Sequence, residues 1–146
     1  MNNTAGFNPK TMDKKSSVIV IEDDQDISSL IDYNLKKNGF PVERVFDGDD
    51  ALELLAQRHF DIVILDIMLP GISGLEICQK LKQAPGSEQP FVIIISAKTS
   101  AQDKLCAHII GADGYLAKPF GIDYLINMVK EFDEFSRRDF FVRIKE

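Results

Sequence analysis

A chain of 146 residues with 45% hydrophobic and 27% charged residues has room for one globular domain with a substantial core, and not for a second full one. Its formal charge of -6, with no local basic patch, argues against direct binding of nucleic acid or anionic lipid. Apolar runs such as Ile62 to Leu65 and Phe91 to Ile95 are too short to span a bilayer, and the N-terminus lacks a secretory pattern, so no membrane association and a cytoplasmic location are expected.

In chain order, residues 1–16 mix Asn, Thr, Gly, Pro and Lys without an apolar period and predict a disordered lead-in, with the folded domain over 17–135. Val18 to Ile21 is a continuous apolar run ending in acids, the pattern of a central parallel strand covered on both faces. The next segment carries Ile27, Leu30, Ile31 and Leu35 on one helical stripe and stops at Asn38-Gly39, where Gly39 can take the left-handed conformation. Val42 to Phe46 is a more polar strand, expected at an edge, and a helix from about Asp49 to His59 is expected to bury Ala51, Leu52, Leu55 and Ala56.

Ile62 to Leu65 forms a third strand and delivers Asp66 at its C-terminal end. Pro70 and Gly71 turn the chain into a helix from about Ser73, which uses Ile77, Leu81 and Ala84 before Pro85-Gly86 ends it. Phe91 to Ile95 is the fourth strand, and the fourth helix is expected to turn Leu105, His108 and Ile109 toward the sheet. Tyr115 and Leu116 belong to a short fifth strand before Lys118-Pro119, and the last helix has Leu125, Met128, Val129 and Phe132 in register. Cys78 and Cys106 form no metal-spaced or redox pair and read as small core or near-core residues.

Five strands alternating with five helices predict an α/β, doubly wound parallel sheet in three layers, because parallel strands need right-handed crossover helices. Residues 136–146 pack Phe140, Phe141, Val142 and Ile144 among Arg and Lys, which is too apolar a segment to hang free in water. Two continuations compete there: a helical extension that docks on its own domain or on a second copy, and the start of a linker. The helical period through Phe132, Phe135 and Ser136 favours the extension.

In such a sheet, ligands sit at the C-terminal ends of the strands. The first strand ends Glu22-Asp23-Asp24, the third ends in Asp66, the fourth in Ser96, and the fifth leads to Lys118. Carboxylates converging there would repel one another and raise each other's pKa values, so the arrangement asks for a cation. A hard oxygen site with few protein ligands suits Mg2+, with Mn2+ as a substitute. Lys118 adds a second positive charge, and the Ser96 hydroxyl can donate to a phosphoryl oxygen. A nucleophilic oxygen, a metal, a cation and an oriented donor are the parts that phosphoryl transfer requires.

The segments VIVIEDD, ILDIMLPGISGLE, IIISA and GADGYLAKPF resemble, in order and spacing, the signature blocks of response-regulator receiver domains in two-component signalling, over about Val18 to Phe135. The likeness is nearest to the OmpR/PhoB-type receivers of transcription factors. The resemblance implies a flavodoxin-like sheet in the order 2-1-3-4-5. It also implies that Asp66 is the phosphoacceptor and that Glu22, Asp23, Asp66 and the Met68 carbonyl hold the metal, Asp23 directly and Glu22 through water. Ser96, Ala97 and Lys118 would meet the phosphoryl group, Tyr115 would be an aromatic switch, and Pro70, Gly71 and Pro119 would shape the surrounding loops, with Lys118-Pro119 cis.

The implied partners are a sensor histidine kinase or phosphotransfer protein and a downstream output domain or protein, and the implied chemistry is self-phosphorylation and self-dephosphorylation rather than turnover of an external substrate. A homodimer is a further expected assembly, although Gly114 and Asn127 stand where that subfamily has a charged pair across its symmetric dimer. The chain ends without a DNA-binding module, so it is expected to be a stand-alone receiver or the front part of a longer protein.

Two other readings use the same residues. A haloacid-dehalogenase-type phosphohydrolase would use a paired-Asp motif, imitated by Asp24-Gln25-Asp26, but would leave Asp66, Pro70-Gly71 and Lys118-Pro119 unexplained. A pseudo-receiver used only for protein interaction would have lost the phosphoacceptor, an acid or the lysine. Taken one by one, Asp24 reads as a helix cap, Tyr115 as a half-buried strand aromatic, His59 as a helix-end residue, and Asp47 to Asp50 as a solvated helix start.

Overall fold

The apolar strand runs pair side by side because each is hydrophobic on both faces and each is followed by a helix that can cover one of them. In a computed structural model, which describes residues 14–86, 89–98 and 100–145 (138–145 by their backbone), the elements alternate strictly. They are β1 (Val18–Ile21), α1 (Gln25–Lys37), β2 (Val42–Val45), α2 (Gly48–Gln57), β3 (Ile62–Asp66), α3 (Gly74–Lys82), β4 (Phe91–Ser96), α4 (Ala101–Ile110), β5 (Gly114–Ala117) and α5 (Ile122–Lys145). All pairings are parallel and the strand order is β2-β1-β3-β4-β5, with β2 at one edge as its polarity predicts.

Alternate residues along each central strand serve different layers. Ile19, Ile21, Val63, Leu65, Val92 and Ile94 face Ala51 of α2, Ile77 and Cys78 of α3 and Ala107 of α4. Val18, Val20, Ile62, Ile64, Ile93 and Ile95 face Ile31 and Leu35 of α1 and Leu125, Ile126 and Val129 of α5. Asp24 caps α1 by accepting from the Asp26 and Ile27 amides at 3.0 and 3.1 Å. Asp47 caps α2 through the Asp50 amide at 2.8 Å. Helix α1 ends where Gly39 adopts φ +88°. Among the described residues no helix is long and apolar enough to cross a membrane.

Several expected faces are corrected. On α1, Leu30 is exposed and Ser28 takes the buried position, where its hydroxyl accepts from Arg44 Nε at 2.9 Å. Ala56 of α2 is exposed, and His59 lies past the helix end, 3.4 Å from Asp61. Helix α4 turns Ala107 and Ile110 to the core and leaves Leu105, His108 and Ile109 outside, with Ile109 73% exposed. Cys106 is likewise exposed, whereas Cys78 is buried, and burial pushes its thiol up to about 11. In AQDKLCAHII the apolar residues Leu105, Cys106, Ala107, Ile109 and Ile110 crowd the second half without a single stripe, so periodicity does not choose the face, and Ala107 is the buried one.

The expected lead-in over residues 1–16 falls mostly outside the described residues. Residues 1–13 lie outside the described part, but Ser16 is buried and bonded to α5, and Ser17 donates to Asp61 at 2.8 Å. Helix α5 continues without a break through Lys145.

Candidate functional site

The carboxyl ends of β1, β3, β4 and β5 open on one edge of the sheet, where strand backbones stop and side chains converge. Registers β1 to β3 and β3 to β4 set Ile21 beside Leu65 and Asp66 beside Ile95, so Glu22, Asp66 and Ser96 emerge as neighbours. Oxygen atoms of Glu22, Asp23 and Asp66 all lie within 4.8 Å of one another; Glu22 and Asp66 are buried and Asp23 is exposed. Lys118, just past β5, brings its Nζ to 2.9 Å from Asp66 Oδ2 and 2.6 Å from Glu22 Oε1.

This pocket is short of donors. Glu22 Oε2 accepts from the Asp24 amide at 3.2 Å, and buried Oε1 has the Lys118 ammonium as its partner at 2.6 Å. Burial still dominates and raises the Glu22 carboxyl to about 7, partly offset by Lys118 and the Asp24 amide and reinforced by Asp66. For Lys118, burial alone would lower the pKa, but the hydrogen bonds and charges of Glu22 and Asp66 outweigh it and hold the ammonium above its ordinary value.

Asp66 Oδ1 accepts from the Met68 amide at 2.9 Å, and Met68 itself is exposed. Ser96 is buried; its hydroxyl oxygen accepts from the Lys98 amide at 3.1 Å, and its carbonyl accepts from the Lys118 amide at 2.8 Å. Tyr115 is half-buried on β5 and donates its hydroxyl to the Lys98 carbonyl at 2.5 Å. Burial raises the Tyr115 pKa, a hydrogen bond with Ser96 counters it, and the charges of Asp103 and Asp66 add to the rise. Ala97 is exposed beside Ser96, Pro70 and exposed Gly71, at φ +81°, form the turn after β3, and Lys118-Pro119 is cis.

A family model for the response regulator receiver domain matches residues 18–130. This chain belongs to that family. The receiver domain of Francisella response regulator 1452 is 32% identical, with a TM-score of 0.77 over 83% of this chain and 98% of that one. DrrB, an OmpR/PhoB homolog from Thermotoga maritima, is 30% identical with a TM-score of 0.75; the match covers 84% of this chain and 54% of DrrB. The BeF3-activated N-terminal receiver domain of Klebsiella pneumoniae RstA is 28% identical, with a TM-score of 0.73 over 80% of this chain and 97% of that one.

In this receiver domain, Asp24 is outside the three-carboxylate group, and its Oδ1 caps α1. Two participants were not legible as side-chain chemistry. The Lys98 carbonyl, which anchors Tyr115, is a backbone group that no residue pattern marks. Gly74 was visible only as a letter in ILDIMLPGISGLE: a Cβ there would sit 2.3 Å from the Asp66 carbonyl oxygen, so glycine lets α3 start against the Asp66 loop. A groove of about 400 Å³ between the ends of α2 and α3, lined by Leu55, His59, Phe60, Leu81 and Pro90, lies at the opposite edge and takes no part in this arrangement.

Proposed function

We propose that this receiver domain takes a phosphoryl group onto Asp66 from the phosphohistidine of a sensor histidine kinase or phosphotransfer protein, in a Mg2+-dependent reaction that alters the α4-β5-α5 surface for an output partner in the cytoplasm. One observation carries the reading: Glu22, Asp23 and Asp66 converge within 4.8 Å while, among the described residues, a single ammonium, Lys118, reaches the two buried ones. Three carboxylates against one ammonium leave a deficit of positive charge. The donor set is all hard oxygen. Those features fit Mg2+ or Mn2+ held by Glu22, Asp23 and Asp66, with the Met68 carbonyl as a further ligand. When bound, the ion would supply charge that offsets the phosphoryl oxygens during transfer.

The protein groups divide the remaining work. An Asp66 carboxylate oxygen attacks phosphorus; the P–O bond forms as the P–N bond breaks, and the imidazole leaves with its electron pair. The Met68 amide on Oδ1 and Lys118 on Oδ2 fix the carboxylate for that attack. The phosphoryl group arrives with roughly 1.5 to 2 negative charges and three strong acceptors, so Lys118 and the Ser96 hydroxyl gain a better partner than they have in its absence. Ser96 also lies against Tyr115, and Tyr115 holds the Lys98 carbonyl at the start of the loop to α4. Redirecting one hydroxyl therefore reaches the helix that exposes Leu105 and Ile109.

Acetyl phosphate with Mg2+, followed by borohydride trapping and mass spectrometry, is expected to label Asp66 alone and to leave Asp66→Asn unlabelled. Label that persists in Asp66→Asn would place the nucleophile elsewhere and overturn the proposal.

A further inference from the structure

The amino ends of the strands, at the far side of the sheet from Asp66, hold a further buried carboxylate, one that the phosphorylation chemistry does not use. Asp133 on α5 is 3% exposed, and its Oδ1 accepts from both the amide and the hydroxyl of Ser16, at 2.9 and 2.7 Å. Its Oδ2 accepts from Arg137 Nε at 3.3 Å, and Arg137 Nη2 in turn donates to the Lys14 carbonyl at 2.6 Å. The same strand of chain is fixed on its other side, where Ser17 donates its amide and hydroxyl to Asp61 Oδ2 at the start of β3, at 2.8 and 3.1 Å. Lys15, between them, lies over the Phe40 ring. Beside this polar strap, Phe91 of β4 stacks on Phe132 at 4.5 Å and meets Phe135 edge-on.

The last residues of α5 buried against the sheet are in this cluster, and the helix then runs on to Lys145. A helical segment of two or three turns is marginal in water by itself, so its direction depends on how firmly its root is held. We infer that the Ser16–Asp133–Arg137 cluster is a clasp joining the segment that enters β1 to the helix that leaves the domain, so that the outgoing helix is aimed by the strap and loosens when the strap is displaced. Asp133 and Ser16 are positioning residues in this device. A protein or peptide that pulls the leader away from the sheet would then act on α5 without touching Asp66.

Hydrogen exchange of the full chain, followed by mass spectrometry, tests the clasp. Asp133→Ala is expected to speed exchange of α5 amides after Phe135 by about 10-fold or more, the loss of charge-assisted hydrogen bonds at one root. Ser16→Ala should give a smaller change in the same peptides, and Ser16→Thr, which keeps the hydroxyl, should restore protection. Labelling of Asp66 by acetyl phosphate should be unchanged in all three variants. Equal exchange of the α5 end in wild type and Asp133→Ala would overturn the inference. So would acceleration spread evenly over β3 and β4, which would mean general loss of stability. Since the readout is α5 exchange, failure here leaves the Asp66 proposal standing, and failure of Asp66 labelling leaves the clasp standing.

Discussion

Asp133 and Glu22 are both carboxylates buried at an edge of the same sheet, yet their surroundings are opposite. Asp133 has an amide, a hydroxyl and a guanidinium nitrogen on its two oxygens. Glu22 shares one ammonium with Asp66 and has a single amide besides, and its carboxyl is raised to about 7 chiefly by burial. A buried charge with donors of its own is a structural tie, while carboxylates that share one ammonium between them leave room for a further cation. The amino edge of the sheet spends its polar groups on holding chain ends, and the carboxyl edge keeps them available for chemistry.

The largest expected effect separates the two edges by metal affinity. Replacing even an outer partner of a metal ligand commonly costs about 10 to 100-fold in affinity, so Asp23→Ala, which removes a proposed ligand outright, should weaken Mg2+ binding by about 100-fold, measured by titration. Asp133→Ala should leave that titration unchanged. Equal affinity in Asp23→Ala and wild type would erase the distinction on the carboxyl side.

Next comes stability. Asp133→Ala strips partners from the Ser16 amide and hydroxyl and from Arg137, and should cost about 2 kcal/mol in denaturant unfolding. Asp133→Asn should recover part of that, because a carboxamide oxygen can still accept from Ser16. No loss in Asp133→Ala would mean that the satisfied carboxylate contributes nothing to the fold.

The smallest effect is a pH slope. A carboxyl raised from 4.5 to about 7 on folding makes the folded state bind more protons than the unfolded one between those values. Its stabilising contribution is therefore complete below 4.5 and is lost as pH rises through about 7. In chelator-treated protein, Glu22→Gln should flatten the fall in stability between about pH 4.5 and 7. An identical slope in wild type and Glu22→Gln would show that Glu22 is not the strained group.

Much of this was legible in advance because it depends on local pattern. Val18 to Ile21, Ile62 to Leu65 and Phe91 to Ile95 are apolar on both faces, and that alone makes them central parallel strands. Once their order is known, the residues ending them, Glu22, Asp66 and Ser96, must meet at one edge. The face of α4 was not legible: Leu105 and Ile109 are as apolar as any core residue, yet they lie outside while Ala107 is buried. On α1, Ser28 is buried and Leu30 exposed, and Arg44 on β2 gives the buried hydroxyl a partner that residue type alone does not reveal.

The amino-acid sequence by itself determined the alternation of strands and helices, the cap at Asp24, and the collection of acids, hydroxyl and lysine at the strand ends, since each follows from residue type and spacing within a few neighbours. The tertiary structure alone decided which carboxylates are satisfied. Ser16 and Asp133 are 117 positions apart, and Lys118 lies 52 from Asp66, so neither pairing leaves a periodic trace in the chain. A hydrogen bond depends on distances of a few ångströms between atoms, and only the packed sheet sets those distances for residues remote in sequence.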